Sequence, residues 1–113
     1  MDDFLVHLKD YGGDMEGAMV RFVGDTDLYK TCFATFLADV AFPDLGIALQ
    51  AADYKRAFEC AHTLKGVVGN MGLTPLYTVI CHMVENLRSQ DYSQLDTDYA
   101  EILRQLEFLK TLA

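Results

Sequence analysis

Ala61-His62-Thr63-Leu64-Lys65-Gly66-Val67-Val68-Gly69-Asn70-Met71-Gly72 sets one histidine inside a helical pattern, with a lysine three residues on and glycines four and seven residues on. At about 100° per residue, Lys65, Gly66 and Gly69 share a helix side with His62. The apolar residues Ala57, Phe58, Ala61, Leu64, Val68 and Met71 gather on a different stripe, and His62 stands at its flank. The imidazole is therefore expected within reach of water, beside a cation, on backbone stripped of bulk. Each glycine in a helix interior costs about 0.5–1 kcal/mol relative to alanine. Two of them on the histidine's own side imply that something must approach closely there.

Helical periodicity extends outward in both directions from this block. Upstream, Phe4, Leu5, Leu8 and Tyr11 make a short helix that Gly12-Gly13 stops. Asp14 caps a second short helix carrying Met15, Ala18, Met19 and Phe22, which ends at Gly24. Asp25 is the expected N-cap of the first long helix, whose inner face is Leu28, Tyr29, Cys32, Phe33, Phe36, Leu37 and Val40. Pro43 interrupts, and Leu45, Ala48 and Leu49 mark a short connector helix near 43–51. Asp53 caps the histidine helix, which ends near Leu73. Thr74-Pro75 supplies the next N-cap with proline at the first helical position. Leu76, Val79, Ile80, Met83, Val84 and Leu87 line that helix. After a turn at Ser89-Gln90-Asp91, the last helix follows with Leu95, Tyr99, Ile102, Leu106 and Leu109.

No segment has the pattern of a strand. The expected fold is all-α, an antiparallel up-and-down four-helix bundle over residues 25–113. Short N-terminal helices in 1–24 would cover one end or side of it, the whole forming a single domain over 1–113.

Nine basic against seventeen acidic residues leave a net charge of −8. Such a surface repels phosphate backbones and anionic lipid, and no Lys/Arg cluster overrides it, so neither nucleic acid nor membrane is an expected partner. The opening Met1-Asp2-Asp3 has the wrong charge for a secretory signal. The most apolar run, Cys32 to Phe42, falls far short of the roughly 20 residues of a spanning helix. Cys32, Cys60 and Cys81 are odd in number and lack CxxC spacing, which fits small buried residues in a reducing cytoplasm. A soluble, cytoplasmic, monomeric domain is expected.

Histidine is the side chain whose ordinary pKa, about 6.5, leaves much of it neutral and nucleophilic near neutral pH. An exposed imidazole nitrogen can attack phosphorus. A lysine one turn away would offset phosphoryl charge, and glycine at 66 would leave room for the incoming group. The chain has no Walker-type or kinase-type glycine loop to hold ATP, and no acidic cluster at magnesium spacing near the histidine. No independent kinase or ATPase activity is expected. If His62 handles phosphate, another protein must bring it.

Residues 61–72, AHTLKGVVGNMG, closely resemble the signature of the histidine-containing phosphotransfer (HPt) domains of multistep two-component phosphorelays. Arg21-Phe22-Val23-Gly24-Asp25 with Tyr29 and the phenylalanine-rich helix resemble that family too, as does Leu76 to Leu87 followed by Asp91. The resemblance implies that His62 is the phosphoacceptor. It would take a phosphoryl group from a receiver-domain aspartyl phosphate and pass it to another receiver. Lys65 would be the charge-neutralising neighbour and Gly66 the small residue beside the histidine. Response-regulator receivers and a hybrid sensor histidine kinase are the implied partners. The chain itself would need no cofactor, because the receiver supplies the carboxylates and Mg²⁺. Val67 stands where many members have a small hydroxyl residue. Some members carry a carboxylate or amide on the next helix to orient the imidazole, and Cys81-His82-Met83-Val84-Glu85 leaves that role open here.

Several rival readings compete with this one. A lone helical histidine is ordinarily a plain surface or core residue, and Lys65 by itself a solvated charge. Gly66 could permit close helix packing instead, while Gly69, Asn70 and Gly72 fit packing and helix termination, with Gly69 a further candidate for partner contact. Thr63 and Glu59 are candidate partner contacts, and His7 and His82 have no context beyond structure or surface. Glu59 and His62 also form the Glu-x-x-His pair of metal-binding helical bundles, but a second such pair is missing. A non-phosphorylated interaction module, docking on receiver or kinase domains, would have much the same sequence and would typically have lost the histidine.

Overall fold

A computed structural model describes residues 2–113; Met1, counted in the opening charge pattern and in the single-domain span, lies outside them. The described residues contain helices and no strand: α1 (Asp3–Tyr11), α2 (Met15–Arg21), α3 (Thr26–Leu37), α4 (Ala41–Gln50), α5 (Tyr54–Asn70), α6 (Thr74–Arg88) and α7 (Leu95–Lys110).

Local chemistry sets the helix starts. The carboxylates of Asp2, Asp14, Asp25 and Asp53 each accept a hydrogen bond from a first-turn backbone N–H of α1, α2, α3 and α5. α1 ends where Gly12 adopts the left-handed conformation and its N–H turns back to the carbonyls of Leu8 and Lys9. α6 begins one residue earlier than Thr74 capping would place it. Leu73 occupies the cap, Thr74 is the first helical residue, and its hydroxyl reaches back to the Gly72 carbonyl at 3.5 Å.

α4 and α6 both pack extensively along α5, and α7 closes the bundle against α6. α5 and α6 run antiparallel. Gly69 near the end of α5 meets Tyr77 near the start of α6, while Tyr54 at the start of α5 stacks on Tyr92 just past the end of α6. The fourth position of the bundle is shared by α3 and α4, which both touch α7. α4 is thus more than a connector. Pro43 lies in its first turn, where a missing N–H removes no helix bond, and the break falls earlier, at Ala38–Val40. Asp39 steadies that break by accepting the Ala41 N–H at 2.9 Å.

Residues 26–50 together are long and apolar enough to cross a membrane by length and composition. Their apolarity has a local use, because Tyr29, Phe33, Phe36, Phe42, Leu45 and Ala48 enter the core. The rings of Phe4, Tyr29, Phe33, Phe36 and Phe42 meet in sequence at centroid separations of 5.0 to 6.3 Å.

Two residues assigned to the inner face of the first long helix fall outside it. Leu28 is 44% exposed, because the buried face is set by Tyr29, Phe33 and Phe36, one position round. Val40 is 69% exposed, because it lies in the turn and not in the helix. Cys32, Leu37, Val79 and Tyr99 are half-buried at the edges of their stripes. Tyr99 reaches inward through its hydroxyl, which donates to the Phe42 carbonyl at 3.0 Å.

The N-terminal helices are fastened to the bundle by polar contacts with specific partners. Tyr11 accepts the Leu76 N–H at 3.0 Å, one of the α6 amides with no helical partner, and donates to Gln105 Oε1 at 2.6 Å. Burial pushes the Tyr11 phenol up to about 12, so it remains a donor throughout the physiological range. Gln105, buried on α7, also donates to Glu101. One tyrosine thereby joins α1, α6 and α7.

Candidate functional site: the groove beside His62

The groove is built at the C-terminal half of α5, where several elements converge. Tyr29, fully buried, donates its hydroxyl to the Met71 carbonyl at 2.7 Å, and burial raises its phenol above the ordinary value. Arg21, the last residue of α2, donates from Nε to the Asn70 carbonyl at 3.0 Å and from Nη2 to the Gly69 carbonyl at 3.1 Å. Helix carbonyls at a C-terminus lack partners and carry partial negative charge, so a guanidinium suits them. The Gly72 carbonyl accepts the Asp14 N–H at 2.8 Å. The end of the histidine helix is thus clamped from three places in the N-terminal third of the chain.

These contacts enclose an open groove of 620 Å³ lined by Asp14, Arg21, His62, Lys65, Gly66, Gly69, Asn70, Gly72, Leu73, Thr74 and Tyr77. His62 is exposed at its rim and Lys65 is half-buried. Lys65 makes no ion pair and His62 no hydrogen bond among the described residues. His82, by contrast, is engaged, with Nδ1 2.9 Å from Asp98 Oδ2 and 3.5 Å from Asn86 Nδ2. Arg21 and Lys65 both line the groove, as do Leu73, Thr74 and Tyr77 at the start of α6, while Asp14 uses its carboxylate to cap α2. The potential in the groove is accordingly more positive than the −8 of the whole chain suggests.

The two glycines on the histidine side differ in surroundings. A β-carbon built on Gly66 would meet nothing within 4 Å, so no neighbouring helix requires glycine there. A β-carbon on Gly69 would come within 3.1 Å of the Tyr77 ring, so Gly69 lets α6 approach. Gly72 combines a φ of +72° with a backbone oxygen, that of Asp14, 2.6 Å from where a β-carbon would sit.

Of the residues singled out in the sequence, His62, Lys65, Gly66 and Gly69 line one groove. Thr63 is exposed on α5 outside it. Glu59 faces a neighbouring hollow with Tyr54, Phe58 and Arg88, and sits 3.8 Å from Arg56 Nη1. No group of three His, Cys, Asp or Glu side chains able to hold a metal occurs among the described residues, so the Glu59-x-x-His62 pair has no third ligand near it. Arg21, Asn70 and Tyr77 join the groove without having been assigned a place in it. Arg21 had a signal in the lone cation before Val23-Gly24, but its target on α5 lies 48 residues away in the chain.

A family model of the Hpt domain matches residues 1–111 of the 113. Searches of curated proteins and of solved structures found no match to the chain. With a family match over nearly the full length and an all-helical bundle, the chain belongs to the Hpt-domain family, whose members carry out histidine phosphotransfer in two-component phosphorelays.

Proposed function

We propose that this protein is a phosphorelay carrier that accepts a phosphoryl group on His62 from a receiver aspartyl phosphate and delivers it to a second receiver aspartate. The observation that carries the reading is the exposed imidazole, without a hydrogen bond among the described residues, over a groove that contains Lys65 and the open flank of Gly66. In the forward step the unprotonated ring nitrogen attacks phosphorus. The P–N bond forms as the P–O bond to the receiver aspartate breaks, and that carboxylate departs with the electron pair. The reverse step onto a second receiver returns the neutral imidazole. Lys65 offsets phosphoryl charge during transfer, and the clearance at Gly66 admits the receiver's surface. Mg²⁺ belongs to the receiver, and this chain needs none of its own. Thr63, Glu59 and Gly69 lie where a docked receiver or hybrid kinase could touch them. A soluble cytoplasmic monomer suits this role.

The test is incubation with a receiver domain phosphorylated on its aspartate. Label should appear on this chain, be lost in acid and persist in base, as a nitrogen-linked phosphate behaves. Absence of label from every receiver of the source cell would leave the non-phosphorylated docking module as the better reading.

Two variants probe the parts of the groove. Lys65→Ala should slow transfer on the order of tenfold, the effect of losing roughly one partly screened charge interaction. Its melting temperature should be unchanged, and an unaltered transfer rate would remove Lys65 from the mechanism. Gly66→Ala should stabilise the domain by about 0.5–1 kcal/mol, because a helix-interior glycine with empty space beside it gains from a methyl group. Gly66→Leu should fold as well and yet transfer poorly. If the leucine variant transfers at the normal rate, clearance is not what the glycine provides.

A further inference from the structure

His62 has no polar partner among the described residues, yet its ring has a neighbour. Phe58, one helical turn earlier on α5, lies 5.7 Å from it between centroids with 29° between the planes, an offset stack. Phe58 is half-buried, and its base packs against the core. On the side toward α6, the Arg88 guanidinium carbon sits 5.5 Å from the Phe58 centroid, and Arg88 Nη1 is held by Glu85 Oε1 at 2.5 Å. A tethered cation thus covers the phenyl ring, and the phenyl ring flanks the imidazole.

We infer that Phe58, held beneath the Arg88 guanidinium, is the positioning residue for the His62 imidazole; this rests on His62 being the phosphoacceptor. An exposed histidine on a helix otherwise samples several χ1 and χ2 combinations, and only some of them aim a ring nitrogen outward over the groove. A stacked neighbour narrows that range without taking a proton or a lone pair from the ring. A hydrogen-bonding orienter would occupy one nitrogen, whereas a stack leaves both free. No residue of Cys81-His82-Met83-Val84-Glu85 is bonded to His62. Glu85 acts at one remove, by fixing Arg88, and His82 is turned toward Asp98.

The experiment compares Phe58→Leu, which keeps bulk but lacks a flat ring, with Phe58→Tyr, which keeps the ring. In single-turnover transfer from a phosphorylated receiver, Phe58→Leu should lower the limiting rate constant about fivefold, as a nucleophile spread over more rotamers would. The receiver concentration giving half that rate should stay within about twofold of the parent's, since docking contacts are unaltered. Phe58→Tyr should restore the parent rate. In the NMR spectrum of the unphosphorylated protein, the His62 ring protons should lose their ring-current displacement in Phe58→Leu and keep it in Phe58→Tyr. The inference is overturned if leucine supports the parent rate, if only the half-saturating concentration moves, or if the His62 resonances do not respond to Phe58→Leu. A parent protein that takes no label would instead sink the phosphoacceptor reading, and the ring-current comparison still reports independently on the stack.

Discussion

His62→Gln should reduce receiver-dependent labelling by at least about a thousandfold, because a carboxamide offers no nitrogen lone pair able to attack phosphorus at neutral pH. The fold should be untouched. The side chain is exposed and makes no hydrogen bond among the described residues, and glutamine is at least as good a helix former as histidine. Surface substitutions of this kind usually change stability by no more than about 0.5 kcal/mol. Circular dichroism and thermal melting would establish that the variant is native, and acid-labile label measured after mixing with a phosphorylated receiver would report transfer. Unreduced labelling of a folded His62→Gln protein would move the acceptor elsewhere. The other two histidines then become the candidates, although His82 is engaged with Asp98 and Asn86.

The second large effect is on stability. Gly72→Ala should destabilise the domain by about 2–4 kcal/mol, the sum of a left-handed alanine and a lost backbone hydrogen bond with local strain. Gly72 has φ +72°, and an added β-carbon would lie 2.6 Å from the Asp14 carbonyl oxygen and 3.1 Å from the Ala18 β-carbon. The α1–α2 junction must retreat to make room. Retreat pulls the Asp14 N–H from the Gly72 carbonyl, now 2.8 Å away, and strains the adjacent Arg21 clamp on Gly69 and Asn70. For a domain of this size, the loss corresponds to a fall in melting temperature on the order of 10 °C or more. Gly66→Ala is the built-in contrast, since the same glycine-to-alanine change six residues earlier should raise stability. Equal melting temperatures for Gly72→Ala and the parent would mean that the N-terminal helices are not seated on the end of α5 as described.

Much of the fold was legible because apolar spacing alone encodes it. Leu64 and Val68 on α5, or Ile80, Met83 and Val84 on α6, recur at helical intervals, and each is fully buried. Aspartates 14, 25 and 53 cap the helices they precede, because an N-cap depends only on the residue and the few amides after it. Legibility failed where two local signals overlapped. Pro43 marked an interruption, but a proline in a first turn does not interrupt, and the break at Ala38–Val40 is encoded by Asp39 and by the fit of α3 and α4 to the core. Leu28 continued the apolar pattern of α3, yet a helix has one buried face and the neighbouring aromatics took it.

Within the site, helical periodicity determined that Lys65, Gly66 and Gly69 lie near His62 on one helix, because all four are within two turns and 100° per residue relates them without reference to the rest of the chain. Only the tertiary structure decided what lies across from them. Arg21 on the α5 carbonyls, Tyr77 against Gly69, and Arg88 above the Phe58 ring that flanks His62 all come from other helices. Their places depend on which core faces pack together, and that is a property of the assembled bundle, absent from any stretch of chain taken alone.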